Sequence, residues 1–332
     1  MRNQITLVIA TLFTALGSAA SAQSLVVVNQ GSATVSIVDP DAMTVTATID
    51  EKQAPQVHAH EAAVSPDGRT LYLPIYGDTG IGHAGVDGRE LLFVDLPSRK
   101  ITGSLDFGHG VRPHLPVVDP NTGLVYVTNE LDKRVAIIDP KSRAVIGAVP
   151  TGAEGTHMLV LSHDGRFGYT ANVKPGSLSV LDLVARKTLA VIPIADMAQR
   201  VAISADDRMV FISDNTRPRL AVVDTATHSV RQWIDLPGLG YGAAATRDGR
   251  WLLIAIPSVN AVALIDLRAM KVERTIPVAE APQEILIRPD GRTAYVSCAG
   301  SGSVAVIDIA SWKPVRHIPT AAGADGLAWA NR

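Results

Sequence analysis

RPHLPVVDPNTGLVYVTNELDKRVAIID, residues 112–139, decides the fold. It holds three short apolar runs rich in Val, Ile and Tyr, separated by Pro, Asn, Gly, Asp or Lys. Such runs between turn formers read as strand, turn, strand, turn, strand. A run ending in Asp recurs along the chain: VSIVD at Asp39, LLFVD at Asp95, VAIID at Asp139, LSVLD at Asp182, LAVVD at Asp224, VALID at Asp266 and VAVID at Asp308. The spacings are 56, 44, 43, 42, 42 and 42 residues, within the range of four-stranded propeller blades. Asp-Gly turns such as SPDGR (65–69) and RPDGR (288–292) join the first two strands of a unit, because glycine supplies the positive backbone angle of a tight hairpin.

Leu25–Val28 reads as a second strand without its first, and GLAWA (326–330) as a first strand without its second. Pairing them completes a seventh blade and leaves no open sheet edge. The fold class is therefore all-β, a seven-bladed β-propeller closed by its N-terminal and C-terminal strands. Residues 1–22 stand apart. Arg2, the apolar stretch 5–16 and Ala20-Ser21-Ala22 form a signal peptide cleaved before Gln23. Residues 23–332 are then one propeller domain, monomeric, in the periplasm or secreted. No later run approaches the roughly 20 apolar residues of a membrane span. A lone cysteine, Cys298, rules out an intrachain disulfide. The formal net charge of −2 argues against a nucleic-acid groove.

The literal YVTN at residues 126–129, with YTAN at 169–172 and YVSC at 295–298, resembles the YVTN-repeat seven-bladed β-propeller family of exported proteins. The resemblance runs over essentially all of residues 23–332 and implies the propeller fold. Similar propellers include lactonases, lyases and metal oxidoreductases.

In a propeller the first strand of each blade lines the central channel. Aligned on the turns that follow them, these strands place His60, His114, His157, Gln199, Tyr241, Gln283 and Asp325 at one level. The next position reads Glu61, Leu115, Met158, Arg200, Gly242, Glu284 and Gly326, turned away by strand alternation unless a bulge intervenes. Three imidazoles at one depth suit a divalent transition metal, zinc, iron, manganese or copper, with Asp325 as a fourth ligand. The same polar ring suits ordered water. His58 lies two residues before His60 and shares its side of the strand. The insertion YGDTGIGHAGVDGRE (76–90) reads as a glycine-rich flap over the mouth, carrying His83. His109 falls in a mouth loop, and Arg112 is suited to a carboxylate or phosphate. The seven marker Asp residues read as turn formers.

These residues lead to an exported enzyme acting on a small anionic molecule at the channel mouth, a metal-dependent hydrolase or lyase of the lactone or ester type. His60, His114 and His157 hold the metal, Arg112 or Arg200 orients the substrate, and Glu61 or Glu284 moves a proton. Gln199, Tyr241, Gln283, His58, His83 and His109 surround the mouth. The alternative is a non-catalytic binding or scaffold propeller with a protein partner, accessory to a periplasmic redox system. No G-x-S-x-G elbow, H-E-x-x-H or Walker loop occurs.

Overall fold

The computed structural model describes residues 23–53, 57–78, 80 and 84–331. The signal peptide and His83 of the sequence reading lie outside the described residues. Within them the chain forms seven antiparallel sheets. Blades are numbered here by their inner strands. These are His58–Ala59 with Ala63–Val64, then Pro113–Val118, Thr156–Leu161, Ala198–Ile203, Ala243–Ala245, Pro282–Ile287 and Ala324–Ala330. In blade seven the inner strand Ala324–Ala330 pairs antiparallel with Ser24–Asn29, Leu25 opposite Trp329 and Val27 opposite Leu327. The ring closes as the sequence implies.

Position in the blade sets the apolar pattern. Second strands are covered on both faces by neighbouring blades, so they are continuously apolar. Leu25 to Val28 are all fully buried. Val26, Val28 and Ala328 of blade seven share one core with Leu71, Leu73 and Leu92 of blade one. Tyr169 and Val180 of blade three likewise pack with Val210 and Ile212 of blade four. Each such Val or Leu contributes about 1.5–3 kcal/mol by leaving water. The outer strands, half wet, alternate instead, as Thr44–Asp50 does.

The turn side is uniform. All seven marker Asp residues accept backbone amides two or three residues on: Asp39 from Asp41, Asp95 from Ser98, Asp139 from Lys141, Asp182 from Ala185, Asp224 from Ala226, Asp266 from Arg268 and Asp308 from Ser311. The sequence expectation holds at every copy.

The insertion read as a glycine-rich flap is paired at both ends. Its ends extend the second and third strands of blade one, Thr70–Gly77 and Asp87–Asp95, with Ile75 opposite Glu90 and Gly77 opposite Asp87. The strands approach so closely that a Cβ on Gly88 would stand 1.8 Å from the Ile75 carbonyl.

Candidate functional site

At one depth of the channel the β-ladder breaks in every blade. Inner-strand pairing skips His114 and Leu115 in blade two, His157 in three, Gln199 and Arg200 in four, Gln283 and Glu284 in six, and Asp325 and Gly326 in seven. In blade one the strand is interrupted between Ala59 and Ala63, and in blade five it starts only at Ala243, after Tyr241. Bulges re-aim side chains, and in blade four the bulge turns both Gln199 and Arg200 inward. The result is a cavity of about 170 Å³ lined by His60, His114, His157, Gln199, Tyr241, Gln283 and Asp325, joined by Gln30, Gly80 and Arg200. All seven positions aligned from sequence meet there.

Backbone groups freed by the breaks find new partners. The Gly242 and Gly326 amides donate across to the carbonyls of Gln283 and His60 in the next blades, each at 2.9 Å. A Cβ at either glycine would lie 2.4 Å from that same carbonyl, so these two positions admit no side chain. Thr128 Oγ1 accepts from the Leu115 amide at 2.9 Å and donates to the His157 carbonyl at 2.8 Å, joining blades two and three.

Each imidazole is backed by a polar residue from the end of the preceding blade's second strand. Gln30 Nε2 lies 3.0 Å from His60 Nε2 and 3.2 Å from His58 Nε2. Tyr76 sets its ring edge-on to His114, with centroids 5.2 Å apart. Glu130 Oε2 accepts from Tyr76 Oη at 2.8 Å and lies 3.1 Å from His157 Nδ1. His58 and His60 stack nearly parallel, centroids 5.2 Å apart, as their two-residue spacing suggests. Burial first, then neighbouring rings and the Arg200 charge, hold His60 and His114 well below the usual imidazole range. Burial also lowers His157, with Glu130 opposing.

The three rings share a level without forming a ligand set. His114 and His157 lie ring against ring, centroids 3.7 Å apart and tilted by 32°, while His60 meets His114 edge-on at 5.3 Å. Among the described residues no group of three or more His, Cys, Asp or Glu is arranged to hold a metal ion. The metal expected on His60, His114, His157 and Asp325 is therefore not supported. Two of the ring nitrogens are taken up by neighbours, His60 Nε2 by Gln30 and His157 Nδ1 by Glu130.

The opposite wall is ionic. Arg200 Nη1 donates to Glu61 Oε1 at 2.6 Å and to Glu284 Oε2 at 3.1 Å, Nη2 lies 3.8 Å from Asp325, and the guanidinium sits 4.3 Å over the Tyr241 ring. One side chain from blade four thus spans the channel to blades one, six and seven. Glu61, Arg200 and Glu284, expected to face away, are brought inward by the bulges. Burial and the Glu61 charge push Glu284 up to about 8 and Asp325 up to about 7. Burial opposes the Arg200 charge, but Glu61 and the other acidic partners outweigh it and raise the guanidinium well above its usual value.

Other candidates stand apart. Arg112 is buried, its Nε donating to Asp87 at 2.5 Å and its Nη1 to the Gly80 carbonyl at 3.4 Å, with the guanidinium 5.6 Å over the Tyr76 ring. It is not among the residues that line the cavity. His109 is exposed beside Asp132, 2.9 Å away. The reading from sequence did not select Gln30, Tyr76, Asp87 or Glu130. A signal for three of them was present: Gln30, Tyr76 and Glu130 are the sixth residues of LVVVNQ, LYLPIY and VYVTNE in successive blades.

Fold and site together define a seven-bladed propeller with a polar cavity in its channel. A sequence profile described as the cytochrome D1 heme domain matches residues 120–247, from the first turn of blade two into blade five. No curated protein sequence matches the chain. Among solved structures, hydrazine synthase of Kuenenia stuttgartiensis superposes with a TM-score of 0.71 at 18% identity, covering 83% of this chain and 90% of that one. The dihydro-heme d1 dehydrogenase NirN, in complex with DHE, superposes with a TM-score of 0.63 at 17% identity, covering 92% of this chain and 74% of that one. At these identities the likeness is one of fold. No helix among the described residues is long and apolar enough to cross a membrane.

Proposed function

We propose that this protein is an exported binding propeller that takes a small polar molecule into its channel and serves a heme-type redox system as an accessory. The observation that carries the binding half is the cavity itself, to which all seven blades contribute at equivalent positions. The redox half rests on the D1 heme domain match and on the two similar structures. At about 170 Å³ the cavity has room for roughly five waters at ~30 Å³ each, or one molecule of comparable bulk. A tetrapyrrole does not fit it, since pockets for ligands of drug size begin at about 300 Å³ and the ionic wall has no apolar face for a macrocycle. A heme belongs to the system served, and no step is routed through one on this chain.

Hydrolysis or elimination is the less supported reading. It needs Arg200 to orient a substrate and Glu61 or Glu284 to move a proton, but these three groups are bonded to one another. Calorimetric titration of the purified protein with acetate, nitrate and acetamide tests the binding reading. Saturable binding of at least one, abolished by Gln199→Leu, is expected. Binding unaffected by that variant, or none at all, contradicts it. Ferric heme added to the same protein is expected to give no stoichiometric shift of its absorbance, and a shift lost in His60→Ala contradicts the size argument.

A further inference from the structure

Within the binding reading, which this inference deepens, the chemistry of one corner is set by a residue outside the cavity wall. Glu130 follows directly on the second strand of blade two, Val125–Asn129, and is buried. Its Oε2 faces two groups: the hydroxyl of Tyr76, from blade one, and Nδ1 of His157, from blade three. A carboxylate oxygen only accepts, so both neighbours present a proton to it. Tyr76 is fully buried, and burial together with Glu130 raises its pKa, keeping the phenol protonated. With the proton of the neutral His157 ring on Nδ1, Nε2 carries a lone pair. That atom lies 3.5 Å from Gln199 Nε2, at the outer limit of a hydrogen bond, and its ring lines the cavity.

Other buried atoms at the same cavity are unsatisfied. Among the described residues His114 Nδ1 has no hydrogen-bond partner, although buried polar atoms as a rule have one. On the opposite wall Arg200 Nε and Asp325 Oδ1 lack one as well, while Arg200 Nη1 is taken up by Glu61 and Glu284.

We propose that Glu130 is a positioning residue that fixes His157 as a hydrogen-bond acceptor, so that the cavity selects small neutral molecules presenting an N–H or O–H to Nε2. The same logic of an outer partner holding one ring nitrogen so as to fix what the other offers operates wherever a histidine ring is backed by a carboxylate. Tyr76 supports the arrangement by occupying the same carboxylate oxygen, which keeps Glu130 pointed between blades one and three.

The test is nitrogen NMR of the full-length mature chain, selectively labelled at histidine, with His157 assigned by loss of its signals in His157→Gln. The wild type is expected to show His157 protonated at Nδ1 and bare at Nε2. Glu130→Leu, which removes the acceptor, is expected to move the proton to Nε2. Glu130→Gln is expected to restore the wild-type pattern through its amide oxygen, and Tyr76→Phe to keep it. An Nε2-protonated ring in the wild type overturns the proposal, as does an unchanged pattern in Glu130→Leu. Should that variant not fold, the wild-type spectrum decides alone. Acetamide, which carries N–H groups, is then expected to shift the His157 Nε2 signal at least threefold more than N,N-dimethylacetamide at equal concentration. Equal shifts overturn the selection. No shift from either amide, with the tautomers as expected, overturns the binding reading on which the selection rests.

Discussion

Blades one to three bring His60, His114 and His157 into the channel as uncharged rings, each backed by a polar residue from the blade before. Blades four, six and seven bring Arg200, Glu284 and Asp325, which gather with Glu61 of blade one around a single guanidinium. The two walls thus differ in kind: one gathers three carboxyl groups around a cation, the other holds neutral rings against polar partners from the blade before. The ionic wall ties the ring across its axis, and the imidazole wall faces what the cavity admits.

The largest effect that separates the two walls is expected from Arg200→Met. Removing the cation strands Glu61, Glu284 and Asp325 in a buried space, and loss of one partner of a buried ion pair costs about 3–5 kcal/mol. Urea denaturation measures it, and a loss below about 1 kcal/mol would mean that the cross-channel tie is not structural. On the imidazole side, Thr128→Val removes the bridge that joins the Leu115 amide to the His157 carbonyl. A buried group left unsatisfied costs about 1–3 kcal/mol, so this variant is expected to fall below Arg200→Met in effect. A neutral result would show that water replaces the hydroxyl.

The pH dependence sharpens the comparison, because the two walls respond with opposite sign. In the folded chain Glu284 is raised from 4.5 to about 8 and Asp325 from 3.8 to about 7. Folding therefore holds protons that the unfolded chain has released. Their contribution is full below the unfolded values and is lost as pH rises through 7 to 8. The histidines, lowered below 6.5, contribute above that pH and lose their contribution as pH falls. Between pH 6.5 and 8 the loss from the carboxyl groups outweighs the remaining gain from the histidines, so stability is expected to decline by an amount on the order of 1 kcal/mol. Glu284→Gln is expected to flatten most of that decline in denaturation curves taken at both ends of the window. A wild type whose stability rises over the interval would contradict the assignment. The smallest effect is expected from His58→Ala, which removes the half-buried ring stacked on His60 and one contact of Gln30. A loss of about 0.5–1 kcal/mol in thermal unfolding is consistent with its place at the edge of the site.

Much of this was legible in the sequence, for a physical reason. A repeat that must form the same turn seven times keeps the same residue, and the marker Asp residues show it: Asp39 and Asp308 accept backbone amides in the same way. Alignment on the turns then carried the reading to the seven channel positions, where the residues differ from blade to blade. Orientation was less accessible. Alternation sends Arg200 and Glu284 away from the channel, and only the skipped register at Ala198/Val201 and Pro282/Ile285 returns them to it. Nothing local in the sequence marks those bulges. The metal reading found no support among the described residues, since a shared level does not fix where ring nitrogens point. Glu130 and Gln30 take up two of them, and both stand at the ends of second strands, outside the positions aligned for the channel.

The central claim is that seven inner strands surround a site for a small polar molecule, with His157 Nε2 as its acceptor. The most direct measurement is the electron density inside the cavity of a crystal of the purified protein, at a resolution that shows water. Non-protein density within hydrogen-bond distance of His114 Nδ1 and His157 Nε2 is the result expected. A channel closed by its own side chains, with both nitrogens bonded to protein, would contradict the account.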